Sequence, residues 1–207
     1  MNSNPITDCL LLQALTQANA MSDSIGQVRE FCARAQVSMH LEKVAFNPDK
    51  NLLYAYLQLQ QRQEMSSEAL VSVITELRSF APALTELSLS RMQIMLDVQG
   101  HSSGVKPHFH YIVETDPEAG WFDEIAHWYD TEHMIGLARV EGCIQARRML
   151  NHDQGPISLA CYDLVTEETL GSEPWLAVRW TDWSSKVRPH FTNTKRTMFN
   201  FISQSPT

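Results

Sequence analysis

One order of predicted elements occurs twice in the chain, on either side of a short segment rich in glycine and serine. The segment is QGHSSGVK, residues 99–106, and it lies at the middle of the 207 residues. Each half reads as strand, helix, strand, strand, helix and strand, because apolar or alternating runs are separated by stretches with apolar residues at helical spacing. This repeat constrains the fold more than any single motif does, since it predicts two similar domains.

The first half begins after a short polar lead. Ser22 and Ser66-Ser67-Glu68 are predicted N-caps of its two helices, and Pro82 ends the second helix. The segment NPDKN, residues 47–51, is typical of a tight turn and therefore predicts a hairpin. The predicted elements are a strand at 9–17, a helix at 22–35, strands at 37–46 and 52–60, a helix from 66, and a strand at 87–98.

The second half repeats this order with a longer first helix. That helix is predicted over residues 121–140, and Glu141-Gly142 supplies the break before the next strand. The predicted elements are a strand at 107–115, the helix at 121–140, strands at 143–150 and 157–165, a helix from about 174, and a strand at 193–202.

Two β-α-β-β-α-β repeats predict an α+β protein made of two ferredoxin-like folds. Each antiparallel sheet carries its helices on one face, so its other face needs a cover, and the second sheet is the expected cover. We therefore predict a pseudo-dimeric α/β barrel. The predicted domains are residues 1–100 for the first repeat, 101–106 for the linker, and 107–207 for the repeat that carries the candidate site.

Charge and composition exclude several classes of partner. The formal net charge of −8, with no basic cluster longer than a pair, argues against nucleic acid and anionic membranes. No apolar run approaches the ~20 residues of a membrane span, and the start lacks the basic segment of a signal peptide. The four cysteines are scattered without a CxxC pair, which predicts buried thiols. A cytoplasmic protein is expected.

Candidate catalytic residues lie on one stripe of the predicted helix at 121–140. At about 100° per residue, Tyr129 and His133 fall on the stripe that should be buried, while His127 falls on the opposite side. An imidazole near a cleft can take or give a proton near neutral pH. His190, in the segment RPHF, is the second candidate acid or base, because Pro189 fixes the chain before the last strand. Each also has an ordinary structural interpretation: a hydrogen-bonded core histidine, a packed tyrosine or a capping residue.

Other residues are predicted to bind substrate. Arg147 and Arg148 point to opposite sides of their strand, so at most one of them faces the cleft, where it would bind a carboxylate or an enolate. The second arginine would then be solvated or paired. The predicted substrate-binding residues are Trp128, Tyr162, His110 and Arg147.

A metal site is a minority alternative. His108 and His110 alternate along a predicted strand and point to the same side, with His133 or Glu114 as a third ligand. A structural or solvent-facing pair of histidines is the more common meaning of this spacing. No motif for nucleotides, for a serine esterase or for a zincin occurs, so no cofactor is predicted.

Three motifs are spaced along the second half: HWYDTEHMIGLARVEGCIQARRM, then LACYDL, then SEPWLAVRWTDWSSKVRPHFTNTKR. Together they resemble the dimeric α/β-barrel superfamily, and within it the EthD-like branch, over residues 107–201. In that branch a proline is expected after the helix histidine, where this chain has Met134-Ile135. The first half lacks the W-Y-D-x-E-H motif, which implies that only one repeat carries a site.

The resemblance implies a fold more firmly than a reaction. The superfamily includes cofactor-free monooxygenases, isomerases and haem-handling members. The predicted function is a small-molecule enzyme that applies acid and base chemistry to an aromatic or ketonic metabolite, of isomerase, lyase or monooxygenase type. A non-catalytic ligand-binding protein and a haem- or metal-dependent oxygenase are the alternatives. Open sheet edges and the habit of the superfamily predict a homodimer.

Overall fold

The first set of strands and helices follows the predicted order β-α-β-β-α-β. In the computed structural model, which describes residues 4–202, this set contains β1 (Ile6–Leu15), α1 (Met21–Arg34), β2 (Met39–Asn47), β3 (Leu52–Glu64), α2 (Ser67–Phe80) and β4 (Thr85–Gln99). Strand β1 pairs antiparallel with β3 and β4, and β3 also pairs with β2. The resulting order β4-β1-β3-β2 is that of a ferredoxin-like sheet.

The two helices of this unit begin differently. The Ser66 side chain accepts a hydrogen bond from the backbone N–H of Ala69, so the predicted cap of α2 is confirmed. The predicted cap of α1 at Ser22 is wrong. That helix starts at Met21 after Ala20, which offers no side-chain cap, and the Ser24 hydroxyl donates to the carbonyl of Ala20 instead.

The second set repeats the order with shorter helices. Its elements are β5 (Phe109–Pro117), α3 (Phe122–Trp128), a π turn (Tyr129–His133), α4 (Met134–Ala138), β6 (Cys143–Asn151), β7 (Ser158–Leu164), α5 (Glu173–Arg179), α6 (Asp182–Val187) and β8 (Phe191–Phe201). Strand β7 pairs antiparallel with β5 and β6, and β8 lies on the other side of β5. The α+β class with two ferredoxin-like repeats is therefore confirmed.

The helix predicted as continuous over 121–140 is interrupted. The backbone N–H of Met134 donates to the carbonyl of Tyr129, five residues earlier, which is the bond of a π turn rather than of an α-helix. The break after the helix is confirmed at Gly142, whose φ of 92° lies in the left-handed region that glycine adopts readily.

The segment predicted as a linker is fixed to the second unit. The backbone N–H groups of Gly100 and Ser102 donate to the carbonyls of Ile144 and Cys143 at the start of β6. A Cβ on Gly100 would lie 2.2 Å from the Cys143 carbonyl oxygen, so this close approach requires glycine. The segment is thus a tight turn packed on a strand.

The described chain forms two compact units, and the boundary between them does not lie in that segment. One holds residues 4–93 with 199–202, and the other holds residues 94–198. The three predicted ranges remain a proposal about the repeats, and their ends at 1–3 and 203–207 lie outside the described residues. Each unit has its own apolar core. All four cysteines are buried free thiols, as predicted. Within residues 4–202 no helix is both long and apolar enough to cross a bilayer.

Candidate active site

A cavity in the second unit is lined mainly by aromatic and basic side chains. Its walls come from the interrupted helix, from α5 and from strands β5, β7 and β8. The cavity volume is about 40 Å³, and the space that includes its open end is about 430 Å³. A cavity of about 40 Å³ has room for a few water molecules or one small functional group.

The π turn brings Trp128 and His133 together. These residues are five apart, so an α-helix would place them about 140° from each other, whereas a π turn stacks residues i and i+5. Their ring centroids are 4.1 Å apart with planes inclined by 24°. Tyr129 meets the His133 ring edge to face at 5.7 Å. All three side chains are buried and line the cavity.

The His133 imidazole is neutral at physiological pH. It is 9% exposed, and neither of its ring nitrogens hydrogen-bonds any residue in the described part of the chain. Burial, with the positive charges of Arg188 and Arg179 nearby, lowers the pKa of His133 from 6.5 to about 3. The indole N–H of Trp128 is likewise buried without a partner among residues 4–202. An unbonded indole N–H group beside an unbonded imidazole nitrogen favours a ligand that supplies hydrogen-bonding atoms.

Three tyrosines line the same cavity. The Tyr162 hydroxyl donates to the sulfur of Met134 at 3.1 Å, so the methionine that replaces the expected proline fixes this side chain. The hydroxyls of Tyr129 and Tyr111 make no hydrogen bond to another described residue. Burial raises the pKa of all three phenols, which are therefore protonated and able to donate at neutral pH.

Three arginines that sequence analysis missed complete the lining: Arg179, Arg188 and Arg196. Arg179 ends α5 and Arg188 follows α6, both half-buried, whereas Arg196 is an exposed residue of β8. Arg188 donates to the backbone carbonyl of Arg179 at 3.4 Å. Burial and the charges of the other two arginines lower the pKa of Arg188. Its position in the RPHF motif was a signal, but the prediction assigned the role to the histidine of that motif.

Arg196 reaches the cavity because β8 is irregular. Phe191 and Arg196 are five residues apart, so a regular strand would point them to opposite faces. Both nevertheless line the cavity. Asn193 lies between them with a φ of 47°, a left-handed conformation that interrupts the alternation. Strand periodicity alone could not have found Arg196.

His190 does not line the cavity. Its Nδ1 lies 2.6 Å from a carboxylate oxygen of Glu118, and its ring stacks on Trp121 with centroids 3.4 Å apart. Both partners belong to the turn that precedes α3. The structure thus places the second predicted acid or base at the start of the helix, away from Tyr129 and His133.

The two strand arginines are both paired, and neither lines the cavity. Arg147, the predicted substrate ligand, bonds Asp97 through Nε at 3.0 Å. Arg148 faces the helix and makes two bonds of 2.6 and 2.7 Å to the carboxylate of Asp130. Arg147 and Arg148 do point to opposite sides of the strand, as predicted. Arg147, the predicted ligand, is the one on the side away from the helix.

His110 also faces away from the cavity. Tyr111 and Val113 of the same strand both line the cavity. Because side chains alternate along a strand, His110 points to the opposite face of the sheet. There its Nδ1 lies 2.5 Å from the Asp163 carboxylate, and the ring is fully buried. His108 is exposed. Among residues 4–202 no three or more His, Cys, Asp or Glu side chains are grouped to hold a metal ion, so the predicted ligand set does not form.

Comparison with known proteins gives a fold and no family. No family model matches the chain, and no curated protein does. An anthrone oxidase-like protein of known structure matches with a TM-score of 0.66 and 11% identity over 96% of this chain and 95% of that one. A candidate monooxygenase of Fusobacterium nucleatum gives 0.65 and 10% over 98% and 94%. Chlorite dismutase of Candidatus Nitrospira defluvii gives 0.61 and 8% over 95% and 92%.

These similarities support the predicted resemblance at the level of fold. The chain shares the ferredoxin-like fold of these monooxygenase-type proteins over 96–98% of its length. At such low identities the comparison carries the fold alone. The assignment to the EthD-like branch stays a prediction.

Haem, the cofactor of the third predicted alternative, does not fit the described cavity. A porphyrin is far larger than the cavity volume of about 40 Å³. Of the histidines named as ligands, His110 is bonded to Asp163 on the other face of the sheet and His108 is exposed. His133 alone lines the cavity, where its ring is stacked on Trp128.

Proposed function

We propose that the protein is a cofactor-independent enzyme of the EthD-like branch that moves a proton on a small aromatic or ketonic metabolite. The observation that carries this proposal is the unpartnered, neutral imidazole of His133 in a cavity whose other polar groups are hydrogen-bond donors. A neutral imidazole accepts a proton, and donors stabilise the negative charge that the substrate then carries.

The proposed reaction begins at a carbon next to a carbonyl group. A ring nitrogen of His133 takes the proton from that carbon, and the electron pair of the C–H bond moves to the carbonyl oxygen to form an enolate. The hydroxyl of Tyr129 donates a hydrogen bond to this oxygen, and the nearby arginine charges favour it. In a substrate with a C=C bond between its β and γ carbons, the enolate is conjugated with that bond. The imidazolium then returns the proton to the γ carbon, the double bond moves between the α and β carbons, and the carbonyl re-forms, which completes an isomerisation with no external oxidant.

The low pKa of His133 sets a condition on this mechanism. With a pKa of about 3 the imidazole is a weak base in the free protein. Arg188 and Arg179 contribute to that low value through their charges. A substrate that places negative charge against these arginines offsets their effect and raises the basicity of His133 when it is needed.

Deuterium exchange tests the proposal directly. The protein is incubated in heavy water with small ketones, lactones and phenols, and loss of the α-proton signal is followed by NMR. We expect exchange above the rate of buffer alone, and a loss of about 100-fold or more in His133→Asn, because a general base typically contributes that much.

His127→Asn is the matched control, since His127 belongs to the same helix but is exposed and contacts Trp183 instead of the cavity. It should exchange like the unaltered protein. Equal exchange rates in His133→Asn and the unaltered protein would remove His133 from the mechanism. Binding of these compounds without exchange would favour the alternative of a non-catalytic ligand-binding protein.

The proposal keeps two further predictions from the sequence. The protein is expected in the cytoplasm and, by the habit of the superfamily that it resembles, as a homodimer. The other reason for expecting a dimer, open sheet edges, does not hold for β2, because that strand is already paired with Asn200 and Phe201. Light scattering that finds only a monomer at micromolar concentration would contradict the dimer.

A further inference from the structure

Positive charge is concentrated at the cavity without an acidic counterpart. Arg179, Arg188 and Arg196 all line it, and no carboxylate of the described chain pairs with any of the three. The other buried or half-buried arginines of this unit behave differently. Arg147 is bonded to Asp97 and Arg148 to Asp130. The cavity arginines are thus available to a charged partner from outside the chain.

The neutral groups of the cavity add donors and few acceptors. The Trp128 indole N–H can only donate, and arginine side chains have no acceptor atom. The hydroxyls of Tyr111 and Tyr129 are protonated and unbonded to other described residues. No aspartate or glutamate lines the cavity. A ligand that satisfies this set must bring acceptor atoms and, to offset the arginines, negative charge.

The side chains that line the cavity indicate the chemistry of the rest of the ligand. Trp128, Trp175 and Phe191 line the cavity together with the tyrosines, so its surface is mainly aromatic. The cavity volume of about 40 Å³ is sufficient for a carboxylate group. A ring attached to that carboxylate would occupy the open part, within the larger space of about 430 Å³.

We propose that this cavity binds the carboxylate of a small aromatic acid, with Arg188 and Arg179 as its principal ligands and Arg196 at the open side. The inference rests on the proposed function in that it concerns the same cavity, and it adds the class of substrate. Guanidinium groups recognise carboxylates by paired charge-assisted hydrogen bonds, and aromatic walls accept the attached ring.

Calorimetric titration of the full chain with benzoate tests the proposal, with benzamide as the neutral compound of the same shape. Benzoate should bind at least tenfold more tightly than benzamide, and raised salt should weaken only benzoate. Arg188→Gln should lower benzoate affinity about tenfold or more, because it removes a charge-assisted pair of bonds. Arg139→Gln is the control, since Arg139 is exposed in the same unit and does not line the cavity.

If Arg188→Gln fails to fold, Arg196→Gln replaces it, because Arg196 is exposed and its change should not disturb packing. Equal affinity for benzoate and benzamide, or unchanged affinity in the arginine variants, would overturn the proposal. So would the absence of binding by both benzoate and acetate at millimolar concentration. Binding is measured without turnover, so failure of proton exchange leaves this inference standing. Exchange on neutral ketones without benzoate binding would overturn the inference and leave the proposed function.

Discussion

The two units share an order of strands and helices but fill the space between sheet and helices differently. In the first unit the corresponding gap is lined by apolar side chains such as Ile25, Val28 and Leu53, and it holds no volume that water could enter. In the second unit the space holds arginines, tyrosines and His133 around an open cavity. The same topology thus serves packing in one repeat and a candidate site in the other.

The first helices of the two units also differ, and the irregular helix belongs to the unit that has the cavity. Helix α1 of the first unit is a continuous α-helix of 14 residues that buries Ile25, Val28 and Phe31. The equivalent helix of the second unit is interrupted by the π turn at Tyr129–His133. Such turns are uncommon and occur often at functional sites. Here the turn places Trp128 and His133 on one face, which a regular helix cannot do.

The largest expected effect is on the core of the first unit. Phe31 is 1% exposed and meets Phe80 edge to face at 5.7 Å. Phe31→Ala should lower the free energy of unfolding by about 3–5 kcal/mol, because it removes a buried ring and leaves a cavity. Urea unfolding measures the loss, and calorimetry should find benzoate binding unchanged in the folded protein.

Val71→Ala is the control for this substitution. Val71 lies in α2 of the same unit but is 61% exposed, so its truncation should change stability by no more than about 0.5 kcal/mol. If Phe31→Ala changed the free energy of unfolding as little as Val71→Ala, the core of the first unit would not be closely packed, and the contrast between the two units would fail.

A second, smaller effect comes from the buried histidine of the second unit. Its pKa of about 3 in the folded protein lies below the value of 6.5 expected in the unfolded chain. As pH falls from 6.5 towards 3 the unfolded chain takes up this proton and the folded one does not, so stability is lost in that window and is unaffected above it. From pH 7 to 5 the loss should be about 2 kcal/mol.

Urea unfolding at pH 7 and pH 5 measures this effect by difference. His133→Asn lacks the titrating group and should lose about 2 kcal/mol less than the unaltered protein over this range. His127→Asn should keep the full dependence, because His127 is exposed. Identical pH dependence in the protein and in His133→Asn would mean that the imidazole titrates normally in the fold.

Sequence periodicity was sufficient for the fold because each element carries its own signal. The cap at Ser66, the break at Gly142 and the alternation along the strands are local, and the repeated order then limits the topology. Burial of Tyr129 and His133 also followed from a helical stripe. These predictions required no knowledge of which distant residues come together.

The rest of the cavity depends on features that periodicity does not report. Arg179 and Arg188 lie at helix ends, where no repeat fixes the direction of a side chain. Arg196 faces inward only because Asn193 interrupts the strand. Arg147 and Arg148 are paired with Asp97 and Asp130, which lie 50 and 18 positions away in the chain. Strand alternation therefore could not show that both arginines already have partners. His190 was misplaced because its bond to Glu118 spans 72 residues.

The smallest expected effect concerns Trp180, an exposed side chain beside the cavity arginines. It is 62% exposed, and the guanidinium carbons of Arg179 and Arg188 lie 5.6 and 5.1 Å from its ring centre. Cation–π contacts at exposed sites are worth about 0.5–1 kcal/mol each. Trp180→Ala removes both contacts and should therefore lower the free energy of unfolding by about 1–2 kcal/mol at most. It should weaken benzoate binding about two- to fivefold, because the two arginines lose orientation.

Trp180→Phe tests whether an aromatic face at residue 180, rather than the size of the side chain, orients the two arginines. A phenyl ring keeps a π face for the guanidinium groups, so benzoate affinity should return close to that of the unaltered protein. Calorimetry of both variants gives the comparison, with urea unfolding as the check on stability. If the alanine variant binds benzoate as tightly as the unaltered protein, Arg179 and Arg188 are held by their own helix ends. The preorganised charge that distinguishes the second unit from the first would then come from the backbone of α5 and α6, where Arg188 already donates to the Arg179 carbonyl.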